Sequence, residues 1–434
     1  MNSSFKWTVI GSSTCVVVLL LLGARSGRAV ATDDVYGHLK VYTEVLERIK
    51  LEYVEEPDMK SVTLGAINGL LESVDPFASY LSPDQYRQYE KMHDAGRAGV
   101  GLILAKRYGY VAVVDVIPGS PADKANVSSG DLIETINGVA TRDMPLAYAE
   151  EILQGAPDST IEISILRLKN PDPQKITLTR TVVSVPQVTA KLLPNDVGYL
   201  HVTSLLGNRE SEVKTKVQDL KKQGAKYMVL DLRHCSTGDD ANGIGLANLF
   251  LDKGGITSLQ GQKTEKKDFE AKPDDQIWKG PLVLITDRAT AGGSEIAAAA
   301  LLDDKRAQIV GERTYGDASL RKTIEMEDGG AVILSVAKYY SPSGKAIQDS
   351  GVTPSVQLAE NDNTPDVDQD GKPIPGTAKK NSEDNLLKQS IDLVTGKTTI
   401  AQLTSGEAGN DRPYVNQPPP IITKAPVTPD TRTK

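Results

Sequence analysis

The stretch that decides the fold runs from Pro281 to Glu312, "PLVLITDRATAGGSEIAAAALLDDKRAQIVGE". An unbroken apolar run ends at Thr286, a turn rich in small residues follows, and an alanine-rich helix leads into a second apolar run, "AQIVG". Strand, turn, helix and strand in that order predict a crossover unit. The pattern recurs upstream in "VGYLHVTSL", the helix carrying Val213, Val217 and Leu220 that stops at Gly224, and "KYMVLDLR". The region 170–358 is therefore expected to be an α/β core with a largely parallel sheet.

Working outward, residues 96–169 change texture to short alternating strands, "GVGLILA", "YVAVVDVI" and "TIEISILRL", with one helix, "PLAYAEEILQG", among them. That is the signature of a compact β-rich domain. Residues 33–95 read as a helical module, with Leu39, Tyr42, Leu46, Ile49 and Tyr53 at spacings of three and four. After Leu358 the chain turns polar. Residues 359–403 are expected to form an extension with a short helix, and the Pro- and Thr-rich residues 404–434 a disordered tail. The expected class is thus multidomain α/β.

At the other end, Lys6 precedes the apolar run Trp7–Gly23 and the triplet Ala29-Val30-Ala31. Residues 1–31 have the form of a secretory leader, and the run approaches bilayer-spanning length, so a membrane anchor stays open. Either reading places the globular part outside the cytoplasm, in the periplasm or cell envelope. The formal net charge of -8 and the 5% aromatic content argue against a nucleic-acid surface. With Cys15 in the leader, only Cys235 remains in the mature chain, which excludes an internal disulfide. His38, His93, His201 and His234 lack ligand spacing, so neither a metal nor a cofactor is expected.

Six segments, "AINGLLESVDPFASYLSPDQY", "GVGLIL", "IPGSPADKANVSSGDLIETING", "KKQGAKYMVLDLR", "SEIAAAALLDDKRAQIVGERTYG" and "AKYYSPSGKAIQDSGVTP", resemble in order and spacing the carboxyl-terminal processing peptidases, or tail-specific serine proteases. The resemblance spans Val35 to Val356. It implies a helical N-terminal part, an inserted PDZ domain that binds polypeptide C-termini, and a split α/β peptidase core that in active relatives uses a serine nucleophile and a lysine base. Laid onto this chain, the serine position is Gly292, the lysine position Asp317, and that of a glutamine orienting the lysine Arg321. The oxyanion region maps to Gly238 and Gly293, although the usual Asn-Pro-Gly-Gly turn reads His234-Cys235-Ser236-Thr237-Gly238. The resemblance places carboxylate capture at Val100, Gly101 and Leu102, with Ile152 in the pocket for the last side chain.

Glycine has no atom with which to attack, and an aspartate is a far weaker base than a neutral lysine. Ser294 is the fallback nucleophile, but a serine there is expected to cap the helix nitrogens of Glu295 and Ile296. The expected function is a silent family member acting as adaptor or regulator on polypeptide C-termini, with an active peptidase or another exported protein as partner and a homo-oligomer left open. The alternative is an active serine endopeptidase with a non-standard or partner-completed site.

Overall fold

The computed structural model describes residues 32–92, 98–142, 144–167, 170–358 and 384–405. The expected leader or anchor and the tail beyond Ser405 lie outside them, as does most of the polar segment after Leu358. No helix among the described residues is long and apolar enough to cross a membrane. The chain divides into two compact units, Met1–Gly65 and Ala66–Lys434.

In the first unit α1 (Thr32–Glu52) follows the apolar periodicity, yet Leu39, Tyr42 and Tyr53 remain exposed. Helix α2 (Met59–Glu72) begins there and ends in the second unit. Residues 79–81 depart from the helical expectation. They form β1 (Ser79–Leu81), antiparallel to a strand of the core with Tyr80 opposite Val332, and only then does α3 (Pro83–Met92) begin.

The β-rich domain contains β2 (Leu102–Arg107), β3 (Tyr110–Val116), α4 (Pro121–Lys124), β4 (Leu132–Ile136), β5 (Val139–Ala140), α5 (Leu146–Leu153), β6 (Thr160–Arg167) and β7 (Asn170–Thr179). Its sheet runs β2-β3-β4-β6-β7, with β5 paired to β4. Val111, Val113, Ile133, Ile161, Ile163 and Ile165 fill its core, which also takes in Phe77 and Ala291 from outside the domain. Ala291 immediately precedes Gly292, so this packing fixes one side of the strand-to-helix corner.

The remainder comprises β8 (Thr189–Leu193), β9 (Val197–His201), α6 (Arg209–Lys222), β10 (Tyr227–Asp231), α7 (Asp240–Asn248), β11 (Gly255–Gln260), β12 (Lys267–Glu270), β13 (Leu282–Thr286), α8 (Gly293–Asp303), β14 (Gln308–Gly311), β15 (Ser319–Glu325), β16 (Ala331–Tyr340), β17 (Val356–Gln357), α9 (Asn385–Val394) and α10 (Ile400–Ser405). The expected sheet runs β17-β14-β13-β10-β9-β8 and is parallel except at β8 and β9. Its inner strands β10 and β13 are almost wholly apolar because both faces are covered, whereas the edge strand β8 carries Lys191 and is largely exposed. Met228 and Leu230 point into one core with α6, α7 and α8, while Val229 points into another with Leu386 and Val394 of α9. A second sheet, β1-β16-β11-β12 with β15 on β16, is antiparallel.

Two contacts set the corner where the first sheet delivers its chain. Helices α7 and α8 pack so closely that a Cβ on Gly243 would lie 2.0 Å from the Gly293 carbonyl oxygen. One on Gly238, at φ +129°, would lie 2.4 Å from the Leu205 carbonyl carbon. Only glycine fits at either place.

Candidate active-site cleft

Gly292 is the N-cap of α8, at φ 65° and ψ -125°. That backbone region is strained for any residue with a side chain, and glycine adopts it freely. Space is not the obstacle, since the nearest atom to a Cβ there would be the Asp317 carbonyl oxygen at 3.8 Å.

The carboxylate of Glu295, fully buried, binds the corner together. Its Oε2 accepts from the Gly292 N–H at 2.9 Å and the Asp317 N–H at 2.7 Å. Its Oε1 accepts from the Gly316 N–H at 2.7 Å and the Thr314 hydroxyl. Burial pushes this carboxyl up to about 7 against the pull of those donors. The two positions matched to serine and lysine are thereby fastened to one oxygen. The sequence alone marked Glu295 only as a residue of the helix start.

The structure corrects the reading of Ser294 as a cap. With Gly292 as N-cap, Ser294 lies inside the first turn, and its hydroxyl donates to the carbonyls of Cys235 at 2.6 Å and Ala291 at 2.9 Å. It is 1% exposed, and those two carbonyls engage its hydroxyl. Cys235 is equally buried, and burial pushes its thiol well above the ordinary range. Its neighbour His234 turns the other way at φ 56°, placing Nδ1 2.8 Å from Asp115 Oδ1 on β3. The same buried aspartate accepts the Ser236 hydroxyl at 2.6 Å. Serine and histidine thus share one carboxylate and are not linked in series, which a relay would require.

Asp317 forms an ion pair with Arg321, whose guanidinium lies 4.1 Å from the centroid of the Phe77 ring. Burial lowers the Arg321 pKa from its usual value, with Asp75, Glu150 and Asp240 pulling it back up. A cleft of about 730 Å³ joins these groups. Its lining runs from Ile103, Leu104, Leu146, Ala147 and Glu150 of the β-rich domain to Ser236, Gly238, Gly292, Asp317 and Arg321 of the core.

Val100, Gly101, Leu102 and Ile152, expected at the peptide site, do not line that cleft. On α5 the residues facing it are Leu146, Ala147 and Glu150, one helical face. Ile152 packs instead against the domain's own core, as does buried Leu153. The Val100–Gly101 loop is rigid nonetheless. Its carbonyls accept from Ala122 at 3.0 Å and Ile117 at 2.9 Å, and a Cβ on Gly101 would strike Ser120 at 2.2 Å. No described residue accepts from the N–H of Val100 or Gly101.

Comparison with known proteins follows the same division. The model of Peptidase family S41 matches residues 196–358, and that of a PDZ domain matches 113–167. A carboxy-terminal-processing protease of Bartonella bacilliformis is 30% identical over 346 residues, 79% of this chain and 80% of the relative. The chain belongs to peptidase family S41. This S41 chain is also 30% identical over 396 residues to a carboxyl-terminal-processing protease of Synechocystis, covering 89% and 88% of the two. The solved photosystem II D1 C-terminal processing protease superposes with a TM-score of 0.62 at 29% identity, covering 74% of this chain and 87% of that one.

Proposed function

We propose that this S41 protein is proteolytically silent and captures polypeptide C-termini through its PDZ domain, as an adaptor or regulator outside the cytoplasm. The observation that carries the reading is the corner itself. Gly292 and Asp317, aligned by motif with the serine and lysine of active relatives, supply only N–H groups to Glu295, and the Asp317 side chain pairs with Arg321. The buried hydroxyl of Ser294 donates to two carbonyls and does not reach a lysine. Peptide binding by strand addition draws on main-chain donors, so it survives the loss of a nucleophile. The leader-like N-terminus supports export, and an active peptidase or another exported protein is the fitting partner.

A serine endopeptidase is the second reading, and one contact favours it. Ser236 lines the cleft with its hydroxyl on Asp115. Incubation of the purified protein with an unfolded protein substrate decides between them. The silent reading expects no cleavage and no labelling by a fluorophosphonate; sustained cleavage lost on Ser236→Ala or Ser294→Ala overturns it. Peptide capture is tested by anisotropy with free and amidated C-termini, of which only the free form should bind.

A further inference from the structure

Strand β2 is an edge of its sheet, and residues 75–81 form a strap from the core to that edge. At one end the buried Asp75 carboxylate accepts from the Ser335 N–H of β16 and from the Phe77 N–H, each at 3.0 Å. At the other end β1 pairs with the same β16. Between these anchors the Pro76 carbonyl accepts from the Lys106 N–H of β2 at 3.0 Å, and Ser79 Oγ accepts from the Ala147 N–H at the start of α5 at 3.1 Å. Phe77, 6% exposed, sinks into the core of the β-rich domain and meets the Tyr315 ring edge-on. The register shows which part of β2 this leaves open. Leu104 lies opposite Val113, whose N–H and carbonyl are given to Asp131 and Gly130 on the side away from β2. The two are therefore a non-hydrogen-bonded pair, and Leu104 turns its own N–H and carbonyl to the open edge. Lys106, two residues on, faces the same way, and there the strap already stands.

We propose that Pro76 and Phe77 set the reading length of the PDZ groove, so that β2 pairs with the last few residues of a polypeptide and with none further from its end. This rests on the capture reading and deepens it. A terminus whose carboxylate rests on the N–H groups of Val100 and Gly101, added antiparallel to β2, sets its last residue against Leu102, its third from the end against Leu104 and its fifth against Lys106. The Lys106 N–H is held by the Pro76 carbonyl, so pairing stops short of that fifth residue. Beyond the stop the polypeptide is turned off the edge toward the cleft, whose lining runs from Leu104, Leu146 and Ala147 past Phe77 to Ser236 and Gly292. Specificity then lies in the terminal residues, and the strap also shields the far half of an edge that would otherwise pair with any extended chain.

The test uses the purified chain and octapeptides of one sequence with a free apolar C-terminus, each N-methylated at a single backbone amide and competed against the fluorescent parent. Methylation at the third residue from the end removes the N–H that faces the Leu104 carbonyl, and should weaken binding about fivefold to tenfold, the worth of one such hydrogen bond. Methylation at the fifth should leave affinity within about twofold, because no strand bond is lost there. Hydrogen exchange reads the same division on the protein. The Lys106 amide should be protected without peptide and unchanged with it, while the Leu104 amide gains protection on binding. A fifth-residue methylation as costly as the third, or a Lys106 amide that gains protection only when peptide is bound, overturns the inference and leaves capture intact. A free peptide that binds yet ignores methylation at both positions also overturns it, since β2 is then not paired at all. If the parent binds no better than its amidated form, the capture reading falls and the inference with it.

Discussion

Glu295→Gln is the sharpest probe of the corner. Wild-type Glu295 receives four donors on a fully buried carboxylate, two on each oxygen. In glutamine one oxygen becomes an NH₂, and if that group replaces Oε2 it confronts the N–H groups of Gly292 and Asp317 as donor against donor. Each buried donor left unsatisfied costs about 1–3 kcal/mol, or about 2–6 kcal/mol for the pair. Removing a charge whose burial lifts the pKa to about 7 returns part of this. The expected net loss is about 2–4 kcal/mol, and at about 2–4 °C per kcal/mol Tm should fall by about 4–16 °C. The measurement belongs at about pH 8, above the raised pKa, where wild type is ionised. Calorimetry gives the shift, and hydrogen exchange should show the amides of Gly292 and Asp317 losing protection first. An unchanged Tm with unchanged exchange at both amides would refute the role assigned to Glu295.

Gly243→Ala should cost several kcal/mol or prevent folding, because its methyl would meet the Gly293 carbonyl at 2.0 Å; soluble yield and Tm report it. Gly292→Ser with Asp317→Lys has the room it needs, at a backbone cost of about 1–3 kcal/mol for the positive φ, and should yield slow peptide cleavage; no turnover in a folded double variant assigns a further loss to the His234–Gly238 turn. Asp240, held at about 6 against the ordinary 3.8, contributes stability fully below the lower value and loses it as pH rises through the higher. Asp240→Asn cannot titrate, so its Tm relative to wild type should climb across that window. Asp384→Ala removes both the cap of α9 and a partner of Arg233, and should lower stability by about 1–2 kcal/mol in denaturant titration.

The parallel sheet was legible because buried strands such as Leu282–Thr286 write themselves as continuous apolar runs, and Val213, Val217 and Leu220 mark one helical face. Strand β1 was not, since three residues are too few to display an alternation and its partner Ala331 lies far along the chain. The Ser294 hydroxyl was misjudged for a related reason. Which residue is the N-cap depends on the φ of Gly292, and serine inside a first turn looks the same on paper as serine at its edge. His234 shows no partner in sequence because Asp115 is 119 positions away. Leu146 and Ile152 of α5 read alike in sequence because both are apolar, and only packing separates the one on the cleft from the one on the domain core.

Arg233 stands immediately before the turn that lines the cleft, and its guanidinium reaches forward to Asp384. Strand β1 likewise waits for β16 to supply its pairing edge. During synthesis the strands of the PDZ domain emerge before the core that flanks them, and Arg233 gains its Asp384 partner only when the start of α9 has emerged. Until then the face of the parallel sheet that Leu386 and Val394 cover stands bare, so a late-made helix closes that core.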